Sequence, residues 1–415
     1  MLRNLVKSLF SGCLYNDMPD EWEEIRKSYF PALKESTYLM AASASPMNSF
    51  AYEEGIRYYE EIHKYGDIHW EAFTEQIEET RTLLARLINA QPEEIAFMLN
   101  TSTGINTAAY LFKPEKGKVL YPSIEFPASI HSFKRESYEC VKIPPNDRYE
   151  YVVKDFGKYL APDTKIIVHS YVQSYNGFRQ DLNELGDFCS QHHLINLINA
   201  TQALGAFPID VKAHHIDLLT SSALKWLGCG YGVGILYIRK EIIKTRKLPF
   251  TSWFSVPEPF LMDNENMDII QTTKAMDSFG GCPNVAGILT LRGTLKFLEN
   301  QIGEGDINKA IGKISERIFA LTSSFIEHMK ELGFRMITPL DKKYRSGIIT
   351  VEHKNAEKIY NSLLKNDIYV SLKHDLETKQ PVLLRFAFNY YNNQEDIEKC
   401  VKILKQFKNG SSTGE

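Results

Sequence analysis

No apolar run in this 415-residue chain approaches the ~18 residues that a membrane-crossing helix needs. Positive charge is not in excess either. The 48 Lys and Arg are outnumbered by 52 Asp and Glu, a net charge of −4, so no broad basic face is available to nucleic acid. Six cysteines, at positions 13, 140, 189, 229, 282 and 400, lack any paired spacing. That argues against a disulfide framework and a zinc site, and points to a reducing compartment, expected to be the cytoplasm. There is no internal repeat and no low-complexity block. The first ten residues mix a basic and an apolar component but are too short and interrupted for a signal peptide. The tail from Asn409 to Glu415 is small and polar, a disordered end or an engineered scar outside the fold.

What is present is ordinary for a soluble globular protein, long enough for two or more compact domains, or one large α/β domain with an appendage. The middle alternates strand and helix. Lys165–His169 is a short β-rich run, Leu182–His193 has helical apolar spacing, and Leu194–Ile198 and Val233–Ile238 are again strand-like. Short apolar strands separated by helices predict a mostly parallel sheet covered on both faces. The last hundred residues differ. A long amphipathic helix over Ile307–Leu332 leads into strands Gly347–Val351, Ile368–Ser371 and Val382–Ala387. Helices Ala356–Lys365 and Asn393–Phe407 accompany them, making a smaller α+β unit. The Gly280–Asn284 turn and the helix Val285–Glu299 are the expected bridge.

Six segments carry chemistry. Lys225 sits in Ser221-Ser222-Ala223-Leu224-Lys225-Trp226-Leu227-Gly228, apolar company for an ammonium. A buried lysine loses proton affinity, and the neutral amine attacks aldehydes. Upstream lies Asn199-Ala200-Thr201-Gln202. Thr101-Ser102-Thr103-Gly104 opens a helical run, where free N–H groups and hydroxyls suit a phosphate; an ordinary N-cap is the alternative. Glu125-Phe126 follows Tyr121-Pro122, and Phe126 is either a ring-stacking residue or core. Gln173, in Tyr171-Val172-Gln173-Ser174-Tyr175-Asn176-Gly177, follows a strand end, where open α/β sheets gather ligands; the Asn-Gly pair equally marks a plain turn. Arg385, in Leu383-Leu384-Arg385-Phe386, needs a partner among apolar neighbours: a substrate carboxylate, or a structural ion pair.

In their order, these segments resemble the class V aminotransferase and cysteine desulfurase family of fold-type I pyridoxal-phosphate (PLP) enzymes, over roughly residues 25–407. The resemblance implies a large PLP-binding domain over 38–290 with a mostly parallel sheet, preceded by an N-terminal arm, 1–37. A small C-terminal α+β domain over 291–408 follows. It implies that Lys225 forms the Schiff base with pyridoxal 5'-phosphate. Thr101, Ser102 and Ser222 contact the phosphate, Phe126 stacks on the ring, and Gln173, Asn199 and Gln202 contact the ring or substrate. Arg385 grips the carboxylate of an amino-acid substrate. A homodimer is also implied, with the turn around Cys282 reaching a phosphate across it.

The chain departs from that family at three places. Asn199 stands where the family has an aspartate that charges the pyridine nitrogen, Leu224 where it has histidine, and Cys282 where it has the threonine of a Gly-Thr-Pro turn. The segment Val370–Gln380 also lacks the loop cysteine of the desulfurases. The expected function is therefore amino-acid chemistry of the aminotransferase, lyase or epimerase type, without a cysteine-loop desulfurase step. The alternative is a PLP-fold protein of weakened or lost catalysis serving as a binding or scaffold subunit.

Overall fold

The computed structural model describes residues 21–408; the first ten residues and the tail from Asn409 lie outside them. Thirteen strands are present among the described residues: β1 (Thr37–Tyr38), β2 (Ile95–Met98), β3 (Lys118–Pro122), β4 (Glu139–Ile143), β5 (Thr164–Ser170), β6 (Ile195–Asn199), β7 (Leu218–Ser222), β8 (Gly234–Ile238), β9 (Arg335–Met336), β10 (Ile348–Glu352), β11 (Ile368–Tyr369), β12 (Ser371–Lys373) and β13 (Leu383–Ala387).

Seven of them form one sheet in the order β2-β8-β7-β6-β5-β3-β4. Pairing is parallel from β4 through β3, β5 and β6 to β7, whereas β8 runs antiparallel to both its neighbours. The expected mostly parallel sheet is there. Its central strands β6, β7 and β8 are buried almost throughout because both faces are covered, whereas the edge strand β4 is largely open. Successive residues divide between two cores, as period-two alternation demands. Ile198, Leu219 and Ile235 join the core that holds helices Trp70–Ile88 and Val285–Phe297. Leu197, Leu218 and Leu236 join the core under helices Thr101–Leu111 and Ala128–Arg135.

The C-terminal strands form a second sheet, β12-β13-β10-β9, antiparallel throughout. Its apolar face, with Ile349, Val351, Leu384 and Phe386, packs on helices Ala356–Leu364 and Gln394–Leu404. The helix joining the two cores is Ile307–Glu331. Its first half, to Ile318, lies in the large core and its second half, from Leu321, in the small one. The expected bridge, Val285–Phe297, packs wholly in the large core, because apolar residues ring it on every side. The early chain stitches onto the C-terminal part: β1 pairs parallel with β11, and Met40 bridges to Ala387.

Candidate active site

β2, β3, β5, β6 and β7 point the same way, so the segments after them gather along one edge of the sheet. That edge is where open α/β sheets bind ligands. β7 ends at Ser222 and the chain turns to Lys225. Three anchors fix this turn: Ser45 N donates to Leu224 O at 3.0 Å, Trp226 Nε1 to Gln202 Oε1 at 3.0 Å, and Gln202 Nε2 to Ala42 O at 2.8 Å. Gln202 is thus a brace for the lysine turn, its carbonyl and one N–H already used.

Beside it the helix Thr101–Leu111 begins, with Asn100 as N-cap accepting from Thr103 N at 3.0 Å. Two glycines let this helix end approach the sheet. A Cβ on Gly104 would meet Thr220 Oγ1 at 2.2 Å, and one on Gly234 would meet the Asn100 backbone at 2.7 Å. The approach brings three hydroxyls together. Thr101 Oγ1 lies 2.5 Å from Thr201 Oγ1 and 2.8 Å from Ser222 Oγ, and Thr101 N donates to Ser222 Oγ at 2.9 Å. Ser102 is exposed at the same helix end. A dipole end lined with hydroxyls suits a phosphate.

Lys225 Nζ lies 5.7 Å from the centroid of the Phe126 ring, whose exposure of 47% leaves a face open. Burial, then the positive charges of Arg385 and Lys373, pull the Lys225 amine down to a pKa of about 7. Roughly half of it is neutral at neutral pH. The folded chain therefore lacks a proton that the unfolded chain holds between pH 7 and ~10, so stability rises with pH across that window. In the cofactor-free protein, wild type should be less stable than Lys225→Met, most of all below pH 7, with the deficit shrinking towards pH ~10. Thermal melts at pH 6, 8 and 9.5 read this, and a deficit independent of pH would contradict the depressed lysine.

Glu125 organises the far wall. Its carboxylate accepts from Ser170 N at 2.7 Å, Gln173 Nε2 at 2.8 Å, Phe126 N at 3.0 Å, Ser129 Oγ at 3.0 Å, and Ser170 Oγ. Burial pushes its pKa up against those donors. Gln173, 1% exposed, is left with an Oε1 that has no partner. Asn199 donates from Nδ2 to Ser129 Oγ at 2.9 Å and accepts from Thr201 N at 3.0 Å, so a relay Asn199–Ser129–Glu125 crosses the floor.

Arg385 closes the site from β13. It is 3% exposed and donates to Ser174 O at 2.9 Å, Ser43 Oγ at 3.0 Å and Ser371 Oγ at 3.3 Å. Its Nε has no partner. The structural ion pair weighed for it is not formed: desolvation alone shifts its pKa, down to about 10. Cys282 stands apart, an exposed free thiol on the turn before helix Val285–Phe297. A cavity of ≈1000 Å³, lined by Ile195, Asp217 and Tyr237 among others, lies at the opposite strand ends and shares no residue with this cluster.

The residues present fit a phosphorylated aldehyde: a hydroxyl-lined helix end, a partly neutral lysine amine, an open aromatic face, and an orphaned acceptor on Gln173. Four participants were missed from sequence. Glu125 and Thr201 stood inside motifs that were singled out but were given no role, Ser129 ended one of them, and Lys373 lay on a polar hairpin. Among the described residues no cluster of metal-ligating groups occurs, and no helix is long and apolar enough to cross a membrane.

The model of the family described as aminotransferase class-V matches residues 37–400. An uncharacterized aminotransferase, YcbU, of Bacillus subtilis (strain 168) is 22% identical over 92% of this chain and 96% of its own. A probable cysteine desulfurase of Pyrococcus abyssi is 25% identical over 92% and 97%. Among solved structures, apo cysteine desulfurase from Thermococcus onnurineus NA1 superposes with a TM-score of 0.80 at 21% identity, over 96% of this chain and 100% of that one. A lysine-to-alanine mutant of C-DES, with glycine covalently linked to its PLP cofactor, also reaches 0.80, at 17% identity over 94% and 99%. These likenesses establish a fold-type I architecture, and with the family match across most of its length the chain is an enzyme of the aminotransferase class-V family, whose cofactor is pyridoxal 5'-phosphate.

Proposed function

We propose that this protein performs PLP-dependent chemistry on the Cα of an amino acid. One observation carries the reading: a partly neutral lysine lies within electrostatic reach of a buried arginine that has no carboxylate partner. Bound there, the cofactor supplies an electron sink for bonds at Cα. Lys225 would hold it covalently. Thr101, Ser102, Ser222 and the unforeseen Thr201 would hold its phosphate, Phe126 its ring face, and Gln173 Oε1 would accept from a ring hydroxyl. Asn199 keeps one N–H beyond its bond to Ser129, enough to donate to the ring nitrogen. Arg385 offers an incoming α-carboxylate its unsatisfied Nε–H, a charge-assisted donor in a dry setting. An amine with a pKa of about 7 takes a proton from Cα and returns it within the working pH range.

Transamination, elimination and epimerisation all begin from that arrangement. Desulfuration through a cysteine on the β12–β13 hairpin is left out of the proposal, since residues 370–380 contain no cysteine. The experiment is a panel of amino acids titrated into the cofactor-loaded protein, followed in the visible spectrum. Selective spectral shifts support an enzyme, whereas a yellow protein indifferent to every amino acid supports an inert holder.

Asn199 favours that second reading, a fold of weakened catalysis serving as a binding or scaffold subunit, because a neutral amide cannot charge the ring nitrogen. Asn199→Asp tests it. A carboxylate there strengthens the sink but faces Glu125 across Ser129, whose single proton cannot serve both. Exchange of the Cα proton in D2O, read by NMR, should quicken on the order of tenfold, about 1.4 kcal/mol of barrier. The cofactor-free variant should melt lower. Lower melting with unchanged exchange would confine Asn199 to the Ser129 relay.

A further inference from the structure

A second cation shares the face that bears Arg385. β12 and β13 pair with Ser371 opposite Arg385 and Lys373 opposite Leu383. Strand alternation therefore sets Ser371, Lys373 and Arg385 on one side of the hairpin. Ser371 Oγ accepts from Arg385 Nη2 at 3.3 Å and lies 3.3 Å from Ser43 Oγ, which marks this side as the one turned to the site. Lys373 is half-buried. Two carboxylates near the site are committed elsewhere. Glu125 holds its five donors, and Asp375 accepts from Glu377 N at 3.1 Å, Thr378 N at 2.8 Å, Thr378 Oγ1 at 3.0 Å and Tyr175 Oη at 3.2 Å. Lys373 has no ion pair among the described residues. Burial and then Arg385 lower its pKa, with no anion acting the other way.

A lysine on a polar hairpin ordinarily carries its ammonium out to water. Here the hairpin keeps it partly desolvated beside another unpaired cation, an arrangement that an anion entering the site relieves. Building on the amino-acid reading above, we propose that Lys373 is a specificity residue that binds a second oxyanion, so that the substrate is an amino acid with an acidic side chain. Arg385 takes the α-carboxylate, led by its unsatisfied Nε–H, and Lys373, a compact point charge with three rotatable donors, takes the side-chain group.

The test is a visible-spectrum titration of the cofactor-loaded enzyme with two isosteric pairs, L-aspartate against L-asparagine and L-glutamate against L-glutamine. At least one acid should bind about tenfold tighter than its amide, the worth of a hydrogen bond to a charged group. Lys373→Gln should bring that ratio close to one, and Lys373→Arg should keep it. Amides that bind as tightly as acids in both pairs overturn the proposal and leave the amino-acid reading standing. So does a Lys373→Gln variant that weakens acid and amide in parallel, since that would be an effect on Lys225 through charge alone. Silence towards all four compounds overturns the proposal, and the amino-acid reading falls with it only if the rest of the amino-acid panel is silent too.

Discussion

Lys225→Ala is expected to leave a folded protein that cannot hold its cofactor covalently. The visible absorbance of the lysine-linked cofactor should vanish, and borohydride should label no peptide. In wild type the label should map to Lys225. Turnover should fall by ~10²–10⁴-fold for loss of the base alone, and further for loss of the covalent link. The expectation rests on burial, which leads the causes that bring the amine to about 7, and on the placing of Lys225 Nζ 5.7 Å from the centroid of the Phe126 ring. The fold should survive, because the turn is held by the Leu224 carbonyl, Trp226 and Gln202 and not by the lysine amine. A borohydride label on another lysine would remove Lys225 from the chemistry.

Arg385→Ala should weaken amino-acid binding by roughly thirtyfold or more, the ~2–5 kcal/mol of a desolvated, hydrogen-bonded charge pair. Arg385→Lys should recover only part, since a point charge cannot reproduce the fork. Stability supplies the second readout. Were Arg385 half of a buried ion pair, its removal would strand a carboxylate and lower the melting temperature sharply. Its partners are instead two serine hydroxyls and one carbonyl. The alanine variant without amino acid should therefore melt close to wild type, relieved of an unpaired buried charge. Normal amino-acid binding by both variants would refute the assignment, and a collapsed melting temperature would restore a structural role.

How much of this was legible depended on whether a residue was odd within its own stretch of chain. Lys225 beside Trp226 and Leu227, and Arg385 between Leu384 and Phe386, are charges in apolar company, and one dimension suffices to see that. Hydroxyls at the start of a helix mark Thr101 and Ser102 in the same way. Glu125 carries no such mark, because its significance lies in donors from Ser170 and Gln173, 45 and 48 residues on. Lys373 reads as solvated until β12 is paired against β13. Gln202 was placed in the right neighbourhood, but its use as a brace appears only once Trp226 and Ala42 are brought to it. The same limit applies to the fold. β6, β7 and β8 are all buried on both faces, so nothing in their patterning reveals that β8 alone among them runs backwards. β2 has four residues, too few for any periodicity to register.

The seam between the two ends of the chain has a consequence for biogenesis. Arg385 reaches Ser43 across 342 residues of sequence, and Asn392 reaches the Tyr38 carbonyl across 354. A ribosome releasing this chain exposes the 37–45 segment first and its partners last, so β1 waits without β11 through almost the whole of synthesis. The seven-stranded sheet, complete at Ile238, can form meanwhile. Loop closure across so long a span is slow but adds little entropic cost per extra residue. The nascent protein thus acquires its hydroxyl-lined helix end and its lysine turn before it acquires the arginine wall. A chain stalled before Leu383 would carry half a pocket, able to meet the cofactor and unable to grip an amino acid.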